Sequence, residues 1–525
     1  MLVHRLMGWL RPQRLVELAF RVRPTSEFIL FRGQRLTRGQ VFARLQALAA
    51  GLQALGVRKG DRVATLLPAC PDAVYSAFLP SVLGSVHVPL NPLLGEHELR
   101  HILADCEAKV VITTRDWYGQ DHPATLARLL PDLPDLRHVV VCDADDGDGR
   151  VFLPMAEVMS LDWPLRRATI SAHDTVLISY TSGTTGRPKG VVHTQGRYWG
   201  VLVRSAGARL DLSPLCCLLL PFPPYHYAGL FGMVATLLAG GKVVLMDRFD
   251  PQQMLELIAK EKVSQIAGSP TMYRWLLLTP GQERYDLSSV QRITFSAEPI
   301  SFDLAQALDE RLRCHLENFY GTTESMLISW TSFDDPWQRA ATTVGRPVPG
   351  AQVRVVDDER QPLPVGERGE IAVQTSQMMT GYHCDPPLTA QVLDAEGWFS
   401  TGDIGYVGED GYLRLVDRKK DLIIRGGESI CPTEIELYLE RHPLIRRAAV
   451  IGVPSQAGGQ SIWAYVERQP AATMTAKEVL GFCRGQIAAF KIPAEVRFVE
   501  RLPITATNKV QKFRLREMAA QELAS

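Results

Sequence analysis

Short apolar runs alternate with helix-patterned segments through roughly the first 320 residues, and this alternation constrains the fold more than any other feature of the chain. A strand covered on both faces by crossover helices is a brief, continuous hydrophobic run, whereas a strand with one wet face alternates. The runs at 62–67, 86–89, 110–113, 138–142, 175–179, 243–246, 263–267, 291–296 and 315–319 are of the first kind. Between them, 72–84, 251–261, 271–278 and 301–312 carry helical spacing. Thr37 and Gln40 form a capping box ahead of Leu45, Leu48, Leu52 and Leu55, and Gly56 closes that pattern. The arrangement predicts an α/β fold whose large N-terminal domain is built from parallel α/β sheets.

The character changes after about residue 345. Segments 352–357, 370–374 and 412–416 read as strands between Pro/Gly turns, a β-rich subdomain of about 345–418. Asp417, Arg418, Lys419, Lys420 and Asp421 then form a charged, exposed-looking junction. Beyond it, 433–442 and 477–488 read as helices and 448–453 and 462–467 as strands. The expected organisation is a core of residues 1–418 followed by a small mobile α+β C-terminal domain, 419–525.

Lys plus Arg and Asp plus Glu both number 57, so net charge offers no handle for nucleic acid or an anionic membrane. The nine cysteines contain no Cys-x-x-Cys and no zinc-ligand spacing, which points to reduced thiols and a cytoplasmic setting. Arg5, Arg11 and Arg14 interrupt any signal-peptide core, and the N-terminus reads as a surface helix. No charged side chain separates Asp211 from Lys242, a stretch long enough to span a membrane. Pro214, Pro221, Pro223, Pro224 and His226 break it, so a buried strand, a proline turn and a buried helix are expected, with no transmembrane segment. Residues 143–150, acidic and glycine-rich, read as a surface loop.

The chemistry-bearing stretch follows the run 175–179. Tyr180, Thr181, Ser182, Gly183, Thr184, Thr185, Gly186, Arg187, Pro188, Lys189 and Gly190 combine flexible backbone, hydroxyl donors and one ammonium. Successive N–H groups of a glycine-rich turn can converge on phosphate. The spacing is not that of a Walker A loop.

This stretch closely resembles the phosphate loop of the adenylate-forming superfamily, which contains acyl-CoA synthetases, adenylation domains and beetle luciferases. Four more motifs match in the family's order: Tyr320-Gly321-Thr322-Thr323-Glu324, Ser400-Thr401-Gly402-Asp403, residues 417–436 and residues 503–509. The likeness spans roughly residues 20–517 and is greatest to a bacterial-type acyl-CoA ligase. It implies ATP-dependent activation of a small carboxylic acid to acyl-AMP, with Mg²⁺, then transfer to coenzyme A. By resemblance Thr181, Ser182, Gly183, Thr184, Thr185, Gly186 and Lys189 cradle phosphates, Glu324 holds Mg²⁺, and Tyr320 stacks on adenine. Asp403 and Arg418 meet the ribose, and Lys420 is the hinge about which the small domain turns between the two half-reactions. Gly426 and Gly427 face the pantetheine arm. Lys509 stabilises the adenylation transition state, and Thr184 and His226 join the catalytic set. Ser296, Ala297, Glu298, Gly321, Thr322 and Thr323 line the nucleotide and acyl site. The family usually has Gly where this chain has Asn508, and Asn also tolerates a left-handed turn.

Amino-acid-activating relatives place an Asp near His226, and none occurs between Asp211 and Asp247. The apolar pocket composition favours an aliphatic acid of medium or longer chain over an aryl acid. The alternatives carried forward are a carrier-protein phosphopantetheine as acceptor, an oxidative luciferase-type reaction and a non-catalytic acyl or nucleotide sensor. Oligomeric state stays open, a dimer among the options.

Overall fold

The computed structural model describes residues 12–144, 151–182, 188–200, 216–221, 225–296, 298–425, 428–454, 460–484, 486–504 and 509–524. Two compact units interleave along the chain. The first comprises Met1–Ser296, Gln306–Ile328 and Gln374–Phe399, and the second Ala297–Ala305, Ser329–Val373 and Ser400–Ser525.

The first unit contains the parallel α/β sheets expected from the apolar runs. In one sheet Val86–Leu90, Arg62–Leu66, Val110–Thr113, His138–Val141 and Phe152–Pro154 lie side by side and parallel. Beyond Val86–Leu90 the sheet continues with Thr175–Ser182, Pro188–Thr194 and Gly381–Tyr382, the last two pairings antiparallel. In the other sheet His315–Thr322, Arg292–Phe295, Gln265–Gly268, Cys217–Leu220, Lys242–Leu245 and Glu27–Phe31 run parallel. Gln34–Thr37 adds an antiparallel edge.

Local chemistry explains where helices begin. The Thr37 hydroxyl accepts from the Gln40 amide at 3.2 Å, and the Gln40 side chain accepts from the Thr37 amide at 2.8 Å, opening the helix Arg38–Ala54. The helical stretch expected at 72–84 is two helices, Pro71–Phe78 and Pro80–Leu83, because Pro80 has no N–H to continue the ladder. The uncharged stretch holds the strand Cys217–Leu220 and the helix Tyr227–Ala239. Among the described residues no helix is long and apolar enough to cross a membrane. The helix Pro12–Arg21 is a surface helix with Arg14 and Arg21 exposed, and its other face buries Leu15, Val16, Ala19 and Phe20, with Phe20 edge-on to Phe28 and Phe78.

The second unit carries the β-rich sheet, in the order Ala351–Val356, Gly369–Thr375, Phe399–Val407, Leu413–Arg418. It also carries an α+β layer in which Ile445–Pro454 pairs antiparallel with Gln460–Arg468, which pairs parallel with Glu495–Val499. Ile435, Leu439, Val450, Ala464 and Val479 meet in the core of that layer. In the junction Lys419 and Lys420 are exposed and Asp417, Arg418 and Asp421 are half-buried. Asp417 is partly buried and accepts from the Thr433 amide at 3.0 Å and the Cys431 thiol at 2.9 Å, at the start of the helix Pro432–Leu439.

Gly345 anchors the strand that ends in Arg418. Its carbonyl accepts from the Leu413 amide at 2.8 Å, its φ is +82°, and a Cβ there would lie 1.7 Å from the Trp330 carbonyl. Backbone cannot yield as a side-chain tip can. Gly345→Ala should therefore lower unfolding free energy by about 3 kcal/mol or more in urea titration. A loss below about 1 kcal/mol would mean that the turn relaxes freely.

Candidate active site

The glycine-rich stretch begins and ends in two paired strands. Thr175–Ser182 and Pro188–Thr194 pair antiparallel, with Tyr180 opposite Gly190, Thr181 opposite Lys189 and Ser182 opposite Pro188. Gly183, Thr184, Thr185 and Gly186 lie outside the described residues. The strand runs past the expected 175–179, and the returning strand was not legible in the sequence. Its base is fastened at several points. The Tyr180 hydroxyl donates to the Asp105 carboxylate, His101 Nε2 meets the Pro188 carbonyl at 3.2 Å, and the His383 amide donates to the Gly190 carbonyl at 2.7 Å. These contacts fix the end from which Lys189 projects.

Tyr320 lies buried on the strand His315–Thr322, and the chain then doubles back. Only glycine fits at 321, since a Cβ would stand 2.0 Å from the Met326 carbonyl. The Thr322 hydroxyl accepts from the Ser325 amide at 3.1 Å, and Met326 adopts a left-handed φ of +57°. Non-glycine residues hold such a conformation where the surroundings enforce it, often beside functional groups. The Glu324 carbonyl accepts from the Met379 amide at 2.7 Å, and its carboxylate stands 3.8 Å from the Lys189 ammonium. Tyr382 lies between them: Lys189 Nζ donates to its hydroxyl at 2.7 Å, and the hydroxyl donates to Glu324 Oε1 at 3.0 Å.

Behind Glu324, His193 is fully buried and its Nε2 meets the Thr323 carbonyl at 2.8 Å. Burial pushes the imidazole down to about 4, so the ring is neutral near pH 7 and its Nε2–H donates to that carbonyl. His193, Tyr225, His226 and Thr323 line one small cavity. The His226 carbonyl accepts from the amides of Gly229 and Leu230 at 3.0 and 3.2 Å. Ser296 directly follows the strand Arg292–Phe295. Ala297 lies outside the described residues.

Among the described residues no three His, Cys, Asp or Glu side chains cluster as a metal cage. A single anchored carboxylate, 9% exposed, fits Mg²⁺ brought in on a triphosphate, because that ion keeps several waters and takes only one or two protein carboxylates.

The remaining expected residues gather in the second unit. Asp403 and Arg418 face each other directly on paired strands, and Arg418 Nε stands 2.7 Å from Asp403 Oδ1. Asp403 is buried, and its amide donates to the Thr401 hydroxyl at 3.1 Å. Gly402, at φ +72°, accepts from the Lys419 amide at 2.9 Å through its carbonyl. Gly402 and Asp403 both sit within the strand Phe399–Val407. Lys509 feels Arg418, Asp403, Lys420 and Asp421. Its side chain keeps solvent contact, yet the surrounding protein, and after it the Arg418 guanidinium, hold the ammonium down to about 8. Burial likewise lowers Lys420. Ile504 and Val510, next to Lys509, form an antiparallel bridge; Asn508 lies outside the described residues. Glu298 accepts from Arg447 at 3.0 Å. Gly426 and Gly427 are also outside the described residues, between the paired strands Ile423–Arg425 and Glu428–Ile430.

The chain thus brings Lys189 and Glu324 together in one unit, and Asp403, Arg418, Lys420 and Lys509 in the other. Sequence reasoning missed Tyr382 and His193. They sit in the glycine-containing strands Gly381–Tyr382 and Pro188–Thr194, where no periodicity singles out a residue.

This division of labour is that of an adenylate-forming enzyme. The AMP-binding enzyme family matches residues 16–383, and the AMP-binding enzyme C-terminal domain matches residues 434–509. The chain belongs to the AMP-binding enzyme family, and within it to the AMP-forming acid–CoA ligases. It is 36% identical over 503 residues to a feruloyl-CoA synthase of Amycolatopsis sp, covering 94% of this chain and 96% of that one. To the mitochondrial medium-chain acyl-CoA ligase of Mus musculus it is 31% identical, over 94% of this chain and 85% of that one. The anthranilate CoA ligase AuaEII, solved with anthranoyl-AMP, superimposes with a TM-score of 0.88 at 26% identity, covering 98% of each chain.

Proposed function

We propose that this ligase activates a hydrophobic carboxylic acid, aliphatic and of medium or longer chain, and that CoA is the acceptor. A carboxylate oxygen attacks the α-phosphorus of ATP and pyrophosphate leaves. The CoA sulfur then attacks the acyl carbonyl, and AMP departs with the bridging oxygen. The observation that carries the reading is that Lys509 shares its surroundings with Asp403 and Arg418. A carboxylate–guanidinium pair suits ribose hydroxyls, and an ammonium beside it faces the charge that builds at the α-phosphate. Lys189 and the hairpin grip the outer phosphates, and Glu324 holds Mg²⁺. When bound, that ion supplies charge neutralisation at the triphosphate oxygens. Lys420 hinges residues 419–525 between the two half-reactions.

The aliphatic preference is supported by the helix Tyr227–Ala239, which carries no charged residue and is followed by Lys242 only after two glycines. A second reading, an aryl acid, is favoured by the edge-on ring pair Phe231 and Phe319 and by the feruloyl-CoA synthase relative. A pyrophosphate-release screen over aliphatic, aryl and amino acids, with and without CoA, separates them. Release with C6–C12 fatty acids and CoA-thioester formation are expected, with little turnover of amino acids. Turnover confined to aryl acids would establish the second reading. A thioester formed on a loaded carrier protein but not on free CoA would overturn the acceptor, and no release with any acid would overturn catalysis itself.

A further inference from the structure

Tyr382 is 6% exposed and held from every side. Its backbone pairs with Val191 on the hairpin, and its amide donates to the Thr389 hydroxyl at 2.8 Å. The preceding residues are equally fixed. The Arg197 guanidinium donates to the carbonyls of Met378 and Met379 at 2.6 and 2.8 Å, and the Met379 amide holds the Glu324 carbonyl. One short segment therefore ties the hairpin that bears Lys189 to the turn that bears Glu324.

The hydroxyl occupies a defined place in this frame. A tyrosine phenol carries one proton near neutral pH. With one proton to give, it donates to Glu324 and accepts from Lys189. The ammonium also lies 4.2 Å from the centre of the Tyr382 ring, a cation–π contact. The direct Lys189–Glu324 separation of 3.8 Å is too long for a hydrogen bond. The two charges thus attract at 3.8 Å without sharing a hydrogen bond, and the phenol stands where that direct bond would otherwise close.

We propose that Tyr382 is a positioning residue for nucleotide activation, whose hydroxyl keeps the Lys189 ammonium and the Glu324 carboxylate apart and aimed. This rests on the reading above, in which Lys189 meets phosphate and Glu324 meets the metal. A direct Lys–Glu pair is a charge-assisted bond, about twice as strong as a neutral one, and MgATP would have to break it before using either group. Through the phenol, each group keeps a partner that yields more readily.

Tyr382→Phe keeps the ring and the cation–π contact and removes only the hydroxyl. Calorimetric Kd for MgATP should rise by about ten-fold or more, the scale on which partners of metal-holding groups act. kcat at saturating MgATP should stay within about three-fold, and thioester formation from synthetic acyl-AMP should be unchanged. In a Glu324→Gln background there is no ion pair to keep open, so adding Tyr382→Phe should change the MgATP Kd by less than about two-fold. A folded Tyr382→Phe enzyme with wild-type MgATP affinity would overturn the proposal. So would fully additive effects in the double variant, or an equal fall in both half-reactions. A wild-type enzyme that releases no pyrophosphate with any acid fails the functional reading instead, whatever Tyr382→Phe does to binding.

Discussion

Lys509→Ala lowers acid-dependent pyrophosphate release by at least about 100-fold, while thioester formation from synthetic acyl-AMP and CoA stays within a few-fold of wild type. The asymmetry follows from where charge develops. In the first half-reaction a carboxylate approaches an anionic α-phosphate, and one fixed ammonium removed from such a site costs about 3 kcal/mol of transition-state stabilisation. In the second, charge builds on the acyl oxygen and the leaving AMP, and the proposed turn about Lys420 presents a different face of residues 419–525. An equal loss in both half-reactions, from a variant shown by circular dichroism to be folded, would remove Lys509 from the adenylation step.

The same residue sets a pH dependence. The ammonium is the active form, and desolvation by the surrounding protein, with Arg418 and Lys420, holds its pKa down to about 8, while Asp403 and Asp421 pull it upward. Pyrophosphate release should therefore fall as pH rises through about 8, and the alkaline limb should be absent from thioester formation with synthetic acyl-AMP. Lys509→Arg cannot lose its proton in this range and should flatten the limb, even if its geometry lowers the plateau.

Most of the first unit was legible because parallel strands buried on both faces leave a plain mark. Val110–Thr113 is such a run, and the helix Pro251–Glu261 shows its Asp250 cap and its period together. What stayed hidden were elements whose pattern is overwritten by function or by edges. Phe399–Val407 alternates buried and half-buried positions, but Thr401, Asp403 and Gly405 take buried-face places that an apolar pattern would need. Pro188–Thr194 opens on Pro-Lys-Gly, which reads as loop until its pairing with Thr175–Ser182 is known. The helix Pro12–Arg21 has a narrow apolar stripe within an arginine-bearing segment, and only its contacts reveal how firmly that stripe is buried. The ordered motifs named the expected ligand-facing residues. They could not name Tyr382, because a positioning role depends on three segments distant in sequence meeting at one hydroxyl.

Glu324→Gln tests the other end of the nucleotide. The amide is close in shape to the carboxylate, so its oxygen can still accept from the Tyr382 hydroxyl, and the fold should be unchanged. What disappears is the negative charge, at a site that belongs to no cluster of three or more His, Cys, Asp or Glu side chains among the described residues. kcat/KM for MgATP in pyrophosphate release should fall by about 100-fold or more, and raising Mg²⁺ should recover part of the loss by mass action. Lys509→Ala should gain nothing from added Mg²⁺, because its ammonium acts on the α-phosphate region and not through the metal. Thioester formation from synthetic acyl-AMP, which carries no triphosphate, should survive Glu324→Gln. Two variants with similar overall losses would thus part on a single titration. If Glu324→Gln ignored Mg²⁺ as Lys509→Ala should, the carboxylate would be holding the turn in shape, and the metal would have to be gripped by ATP alone.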